Sequence, residues 1–163
     1  MTNPSITLRP IREEDMEFLL RLYGTTRADE MAMVVDWTDE QKDFFVRMQF
    51  EAQHAHYHQH YGDAQFDLVL VDGIPAGRLY VHRRPTEIRL VDISFMPEYR
   101  NQGTGTALLK QLFFESEDSG KPVTIHVEKY NPAMRLYERL GFTPSADRGV
   151  YVLLERPPYP VNV

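Results

Sequence analysis

The apolar positions change period several times along the chain, and each change marks an element. Leu8 and Ile11 fit a short strand over residues 8–11. From Glu13 the spacing becomes helical, with Met16, Leu19, Leu20 and Tyr23 on one side and Gly24 as the expected end. The acidic run Glu13, Glu14 and Asp15 suits the positive end of that helix dipole. Residues 27–37 are less regular and read as a loop or a short helical turn. Thr38 followed by Gln41 fits a capping box opening a helix that runs to about His60. Phe44, Phe45, Met48, Ala52 and Ala55 are its expected inward face, and Gly62 ends it.

Beyond this helix the period shortens to that of strands. Runs at 66–71 and 74–81 flank Asp72-Gly73, a hairpin signal because such turns need positive φ. Arg84-Pro85 makes the next turn, and 88–96 is a strand closed by Pro97. Residues 103–116 return to helical spacing with Ala107, Leu108 and Leu112 inward. At 122–127, Val123, Ile125 and Val127 share a strand face. Asn131-Pro132 then starts a helix that Gly141 ends. Two last strands, near Phe142 and at 150–154, precede a Pro-rich tail over 155–163. There is no internal repeat. The order predicts a mixed α/β (α+β) layout.

Composition narrows the function classes. A chain of 163 residues suits one domain over 1–163. The absence of cysteine excludes a thiolate nucleophile, a disulfide scaffold and an iron–sulfur centre. A net charge of −6 argues against nucleic acid or an anionic membrane as partner. No long apolar run occurs, and MTNPSITLRP lacks a signal-peptide core, so a cytoplasmic location is expected.

The candidate chemistry lies between Asp92 and Leu109, where a strand enters a Gly-containing turn that opens a helix. Unpaired backbone N–H groups at such a turn suit a pyrophosphate. Gly103 and Gly105 allow close approach, and Arg100 adds a full charge. By itself a G-x-G is equally a plain turn. No Gly-Lys-Ser/Thr follows, so this is not a P-loop, and the third glycine of a dinucleotide fingerprint is missing. A second cluster, His54, His56, His58 and His60, puts histidines one helical turn apart. No HExxH pattern or acidic third ligand accompanies it, so a solvated helix end is expected and no metal.

Arg100-x-x-Gly103-x-Gly105 after Pro97, followed by Asn131-Pro132-Ala133-Met134-Arg135-Leu136-Tyr137-Glu138-Arg139-Leu140-Gly141-Phe142, resembles the two signatures of the GNAT acetyltransferase superfamily. The element order agrees over nearly the whole chain. Asn101 departs from a common glycine of that family and Thr104 from a common aliphatic residue. The resemblance implies a GNAT fold: a mixed, mostly antiparallel sheet of about seven strands, splayed between the fourth and fifth, with helices on both faces. It implies acetyl-CoA as donor and transfer to a primary amine of a small-molecule or peptide acceptor. The missing cysteine and nucleophile motif fit direct transfer with no acyl-enzyme, and the excess negative charge leads us to expect a cationic acceptor. A homodimer is a further possibility, to which the tail from Arg156 to Pro160 would contribute.

Residue by residue, the same resemblance assigns main-chain groups of Phe95 and Met96 to the pantetheine arm or the thioester carbonyl. Arg100, Asn101 and the N–H groups of Gln102, Gly103, Thr104, Gly105, Thr106 and Ala107 surround the pyrophosphate. Asn131 binds the arm or positions the amine. Tyr137 contacts the cofactor and protonates the departing thiolate. Two residues compete for the base: His126, at a strand position that holds glutamate in the ribosomal-protein branch of the family, and Asp92, which interrupts the apolar run Leu90–Ile93. Glu87 and Arg89 lie nearer the far end of the strand and are set aside. Residues 27–37, with Asp29, Glu30 and Asp36 around Met31, Met33, Val34, Val35 and Trp37, are expected on the acceptor side with the long helix and the final hairpin. A module of the same fold that binds CoA without turnover is the alternative.

Overall fold

The computed structural model describes residues 3–159. The elements in chain order are β1 (Ile6–Pro10), α1 (Met16–Thr26), α2 (Ala28–Met33), α3 (Asp39–His60), β2 (Gln65–Val71), β3 (Ile74–Arg83), β4 (Ile88–Phe95), α4 (Thr104–Ser119), β5 (Val123–Glu128), α5 (Met134–Arg139), β6 (Thr143–Arg148) and β7 (Tyr151–Arg156). Short 3-10 turns occupy Glu13–Asp15 and Pro97–Tyr99. The seven strands form one sheet in the order β1-β2-β3-β4-β5-β7-β6, flanked by helices. The β4–β5 pairing is parallel, and the sheet is not closed. The chain divides into two compact units: residues up to Leu79 with Ile93–Gln102, and Tyr80–Asp92 with the chain from Gly103 onward. The tail beyond Tyr159 lies outside the described residues.

In the first unit, β1 pairs antiparallel with β2 from Ile6↔Val71 to Pro10↔Asp67. Asp72 and Gly73 close the β2–β3 hairpin with φ of 51° and 80°, the left-handed pair that a two-residue turn demands. Asp15 anchors the start of α1: both its oxygens accept from Arg9, at 2.8 and 2.9 Å, and Oδ2 also accepts from the Arg12 N–H. Leu19, Leu22, Tyr23, Phe50 and Leu68 form the core, with Tyr23 and Phe50 rings 6.0 Å apart. Each such leucine contributes roughly 1.5–3 kcal/mol by leaving water.

Two expectations for these helices change. Gly24 does not end α1, which continues to Thr26. A side chain added at Gly24 would sit 3.8 Å from Val46 of α3, so the glycine lies where the two helices meet. Both capping-box bonds of Thr38 and Gln41 are present at the start of α3. Its inward face, however, carries Val46 and Phe50, and the expected Phe44, Met48, Ala52 and Ala55 are exposed. The helix has apolar residues on more than one face, so spacing alone does not choose the face that meets α1.

In the second unit, β5 pairs with β4 over three positions only, Ile88↔Val123, Arg89↔Thr124 and Leu90↔Ile125. On its other edge β5 stays paired with β7 along its full length, from Val123↔Arg156 to Glu128↔Tyr151. The short parallel ladder is the sheet's expected parting point. Val123, Ile125 and Val127 are buried together, as are Leu108, Leu109, Leu112 and Phe113 of α4. Phe142 is packed between Phe113 and Tyr137, at ring distances of 5.9 and 5.6 Å. Among the described residues no helix is long and apolar enough to cross a membrane.

Candidate active site

Within the first unit, the end of β4 and the turn after it hold five of the predicted contacts. Much of their hydrogen-bonding capacity is already engaged. The Met96 N–H donates to Ala76 O at 2.8 Å, and Met96 O accepts from Tyr99 N at 2.9 Å. Phe95 O accepts from Arg100 Nε at 2.9 Å, though a carbonyl retains a second lone pair. Arg100 also donates from Nη2 to Thr25 Oγ1 at 3.0 Å, so its guanidinium is held against the protein. Asn101 adopts φ of 60°, the left-handed conformation that suits a glycine, and this accounts for the departure at that position. Gln102 Nε2 donates to Glu98 O at 2.6 Å.

Gly103 opens the second unit's part of this segment. It is the N-cap of α4 at φ of 82°, and no side chain caps the helix start. Ala107 N already donates to Gly103 O at 2.9 Å, whereas the N–H groups of Thr104, Gly105 and Thr106 precede the first turn's acceptors. Thr104 is buried, so the hydroxyl that replaces an aliphatic side chain points away from solvent. Nothing lies within 4 Å of the place where a Cβ on Gly103 would stand. Unpaired donors, an aligned helix dipole and open space are what a phosphate group requires.

Tyr137 is buried on α5, and its phenol is pushed up to about 12, first by burial and then by the charge of Asp92. The two residues proposed as acid and base are thus electrostatically linked. Asn131 is exposed, and its Oδ1 accepts from Ala133 N at 2.8 Å, forming the turn that leads into α5. It lines a groove of about 490 Å³ with Lys129, Tyr130, Pro132, Met134, Arg135 and Glu138.

His126 lies on β5 with an environment the sequence did not suggest. Arg89 and Glu87, set aside above, surround it. Arg89 is buried and donates from Nε to Thr124 Oγ1 at 2.8 Å, from Nη2 to Glu87 Oε1 at 3.2 Å and from Nη1 to His126 Nδ1 at 3.3 Å. Thr124 Oγ1 in turn donates to Glu87 Oε2 at 2.5 Å. Partial desolvation and then the Arg89 charge lower the His126 value, with Arg148 and Arg84 acting in the same direction. The signal that could have found this network was the alternation of Glu87 and Arg89 on one strand face opposite Thr124 and His126. It needed the Arg89↔Thr124 register to become visible.

Of the segments expected to face the acceptor, residues 27–37 and α3 are in the first unit, and the final hairpin of β6 and β7 is in the second. Asp29 and Glu30 are exposed on α2, and Trp37 packs edge-on against Phe45 at 5.3 Å. A groove of about 660 Å³ runs among α1, α2 and α3, floored by Leu20, Gly24, Ala28, Met31 and Val46. Its rim alternates acidic Glu17, Asp39 and Asp43 with basic Arg21, Lys42 and Arg47. In the histidine cluster, ring centroids are 4.2 Å apart for His54–His58 and 4.3 Å for His56–His60. His58 stacks flat on Phe66 and its Nδ1 meets His54 O at 2.9 Å. Among the described residues no three His, Asp or Glu side chains form a group able to hold a metal.

A parallel pair of only three rungs, a glycine turn with no side-chain cap and a buried tyrosine on the short helix after β5 are the features the GNAT resemblance led us to expect. The model of the Acetyltransferase (GNAT) family matches residues 30–142, more than half of the chain, and the protein belongs to that family. No curated protein matches the sequence. Similar solved structures include PaiA N-acetyltransferase from Thermoplasma acidophilum in complex with coenzyme A, at 18% identity and TM-score 0.67, covering 94% of this chain and 99% of that one. The ribosomal-protein-S18-alanine N-acetyltransferase from Escherichia coli follows at 20% identity and TM-score 0.63, covering 97% of both chains. Ard1 from Thermoplasma volcanium has 18% identity and TM-score 0.62, covering 93% and 97%. At these identities the likeness is one of fold.

Proposed function

We propose that the protein transfers the acetyl group of acetyl-CoA directly to a primary amine. The carrying observation is the start of α4, where a positive-φ glycine leaves the first helical N–H groups uncapped in a family of acetyl-CoA users. The N–H groups of residues 102–106 and Arg100 hold the pyrophosphate, the Ala107 N–H being committed to Gly103 O, and Phe95, Met96 and Asn131 serve the pantetheine arm. With the site loaded, the amine nitrogen attacks the thioester carbonyl carbon, forming the C–N bond as the C–S bond breaks. The amine's proton passes to Asp92, directly or through water, and sulfur leaves as a thiolate beside the Tyr137 hydroxyl. Between the two base candidates Asp92 is preferred, because the His126 nitrogen nearest the protein faces a guanidinium. The net charge of −6 favours a cationic acceptor. A panel of amines incubated with acetyl-CoA tests this: free thiol and acetylated amine must appear in equal amounts. Thiol release that is independent of every amine would count against it.

A further inference from the structure

The ring of His126 shares a sheet face with Thr124, since residues two apart on a strand point the same way. Arg89 stands directly across the parallel register from Thr124. Its three contacts to Thr124, Glu87 and His126 leave it fixed and largely buried. A guanidinium offers only donors and stays charged throughout the pH range of proteins. The 3.3 Å contact therefore requires His126 Nδ1 to present its lone pair to Arg89. In a neutral imidazole the proton then resides on Nε2, which has no lone pair left to accept another.

We propose that Arg89 holds His126 as a neutral Nε2–H donor, so that His126 binds an oxygen of the incoming ligand and does not take up the amine's proton. The groups around the ring support this assignment from every side. Arg89 and Glu87 belong to β4 and its approach, Arg84 to the turn before it, and Arg148 to β6. Across the antiparallel register β7 places uncharged Leu153. Three cations against one carboxylate disfavour an imidazolium, and a proton on Nδ1 would also break the Arg89 contact. The remaining edge of the ring belongs to an exposed residue. On the proposed acetyl transfer, on which this point rests, the acceptor carries a carbonyl or carboxylate oxygen as well as its amine. Arg89 is then a positioning residue, and His126 helps select acceptors.

Long-range 1H–15N spectra of the 15N-histidine-labelled full chain at pH 7.5 read the tautomer without any ligand. Wild type is expected to show His126 unprotonated at Nδ1 and protonated at Nε2. Arg89→Lys, which keeps a donor, should preserve that state, whereas Arg89→Leu should mix the tautomers and raise the titration midpoint. An Nδ1–H tautomer or a charged ring in wild type at pH 7.5 overturns the proposal; so does an unchanged spectrum in folded Arg89→Leu. If Arg89→Leu does not fold, wild type and Arg89→Lys decide. With an active acceptor, His126→Ala should raise its KM about 2- to 10-fold, the worth of one hydrogen bond, and leave the pH dependence of kcat in place. Loss of a limb of that profile would contradict the proposal. Failure of acetyl transfer itself leaves the spectral result standing, so the two readings fail separately.

Discussion

The Asp92 carboxylate and burial act in the same direction on the Tyr137 phenol, which is pushed up to about 12. Against an ordinary thiol near 8.5, a phenol at that value keeps its proton. On the proposed acetyl transfer, Tyr137 would serve the leaving sulfur mainly as a hydrogen-bond donor that strengthens while negative charge develops. Tyr137→Phe should lower kcat about 10²-fold and leave acetyl-CoA affinity within about 3-fold. Asp92→Asn removes the charge and should bring the Tyr137 titration down from its wild-type position, which ultraviolet absorbance of tyrosinate follows.

Substitutions at Gly103 separate backbone strain from the proposed phosphate contact. Its φ of 82° makes any L side chain strained, while the space around it is open. Gly103→Ala should cost about 1–2 kcal/mol in urea unfolding through strain alone. Gly103→Glu adds a carboxylate at the proposed phosphate site and should reduce acetyl-CoA affinity at least about 10-fold beyond Gly103→Ala, measured by calorimetry.

The Arg9–Asp15 pair gives a pH dependence with a definite sign. The two-pronged contact with Arg9 is the main reason that Asp15 lies below the usual carboxylate range. Because the folded value is below the unfolded one near 4, folding favours the ionised form. The contribution is complete above pH 4 and is lost as pH falls through the lower folded value. Asp15→Asn should cost about 1–3 kcal/mol at pH 7 and flatten the acid limb of the stability curve.

Gly77 marks a close approach within the first unit. An added Cβ would overlap the Ser94 carbonyl oxygen and press on the Phe95 ring. Backbone cannot give way as a side-chain tip can, so Gly77→Ala should destabilise by at least about 3 kcal/mol or prevent folding. Thermal unfolding by circular dichroism reads this directly.

Local chemistry was legible in the sequence where one short segment determines the outcome. Thr38 and Gln41 form both capping-box bonds, and Asp72-Gly73 makes the expected turn. The GNAT family was legible because its motifs lie in contiguous stretches, around Gly103 and around Tyr137. What escaped depends on which face meets which. Phe44 and Met48 follow helical spacing as well as Val46 and Phe50 do, yet only the latter pair meets the core. Arg89 and His126 are 37 residues apart, and only strand register brings them together.

Acetyl-CoA binding tests the central claim most directly, through the melting temperature of the wild-type chain as the ligand is titrated. A ligand at 100 times its Kd stabilises by about 2.7 kcal/mol, or roughly 5–10 °C for a protein of this size. Such a saturable rise is expected for acetyl-CoA with wild type, and none with Gly103→Glu. An unchanged melting temperature for wild type at millimolar acetyl-CoA would contradict it.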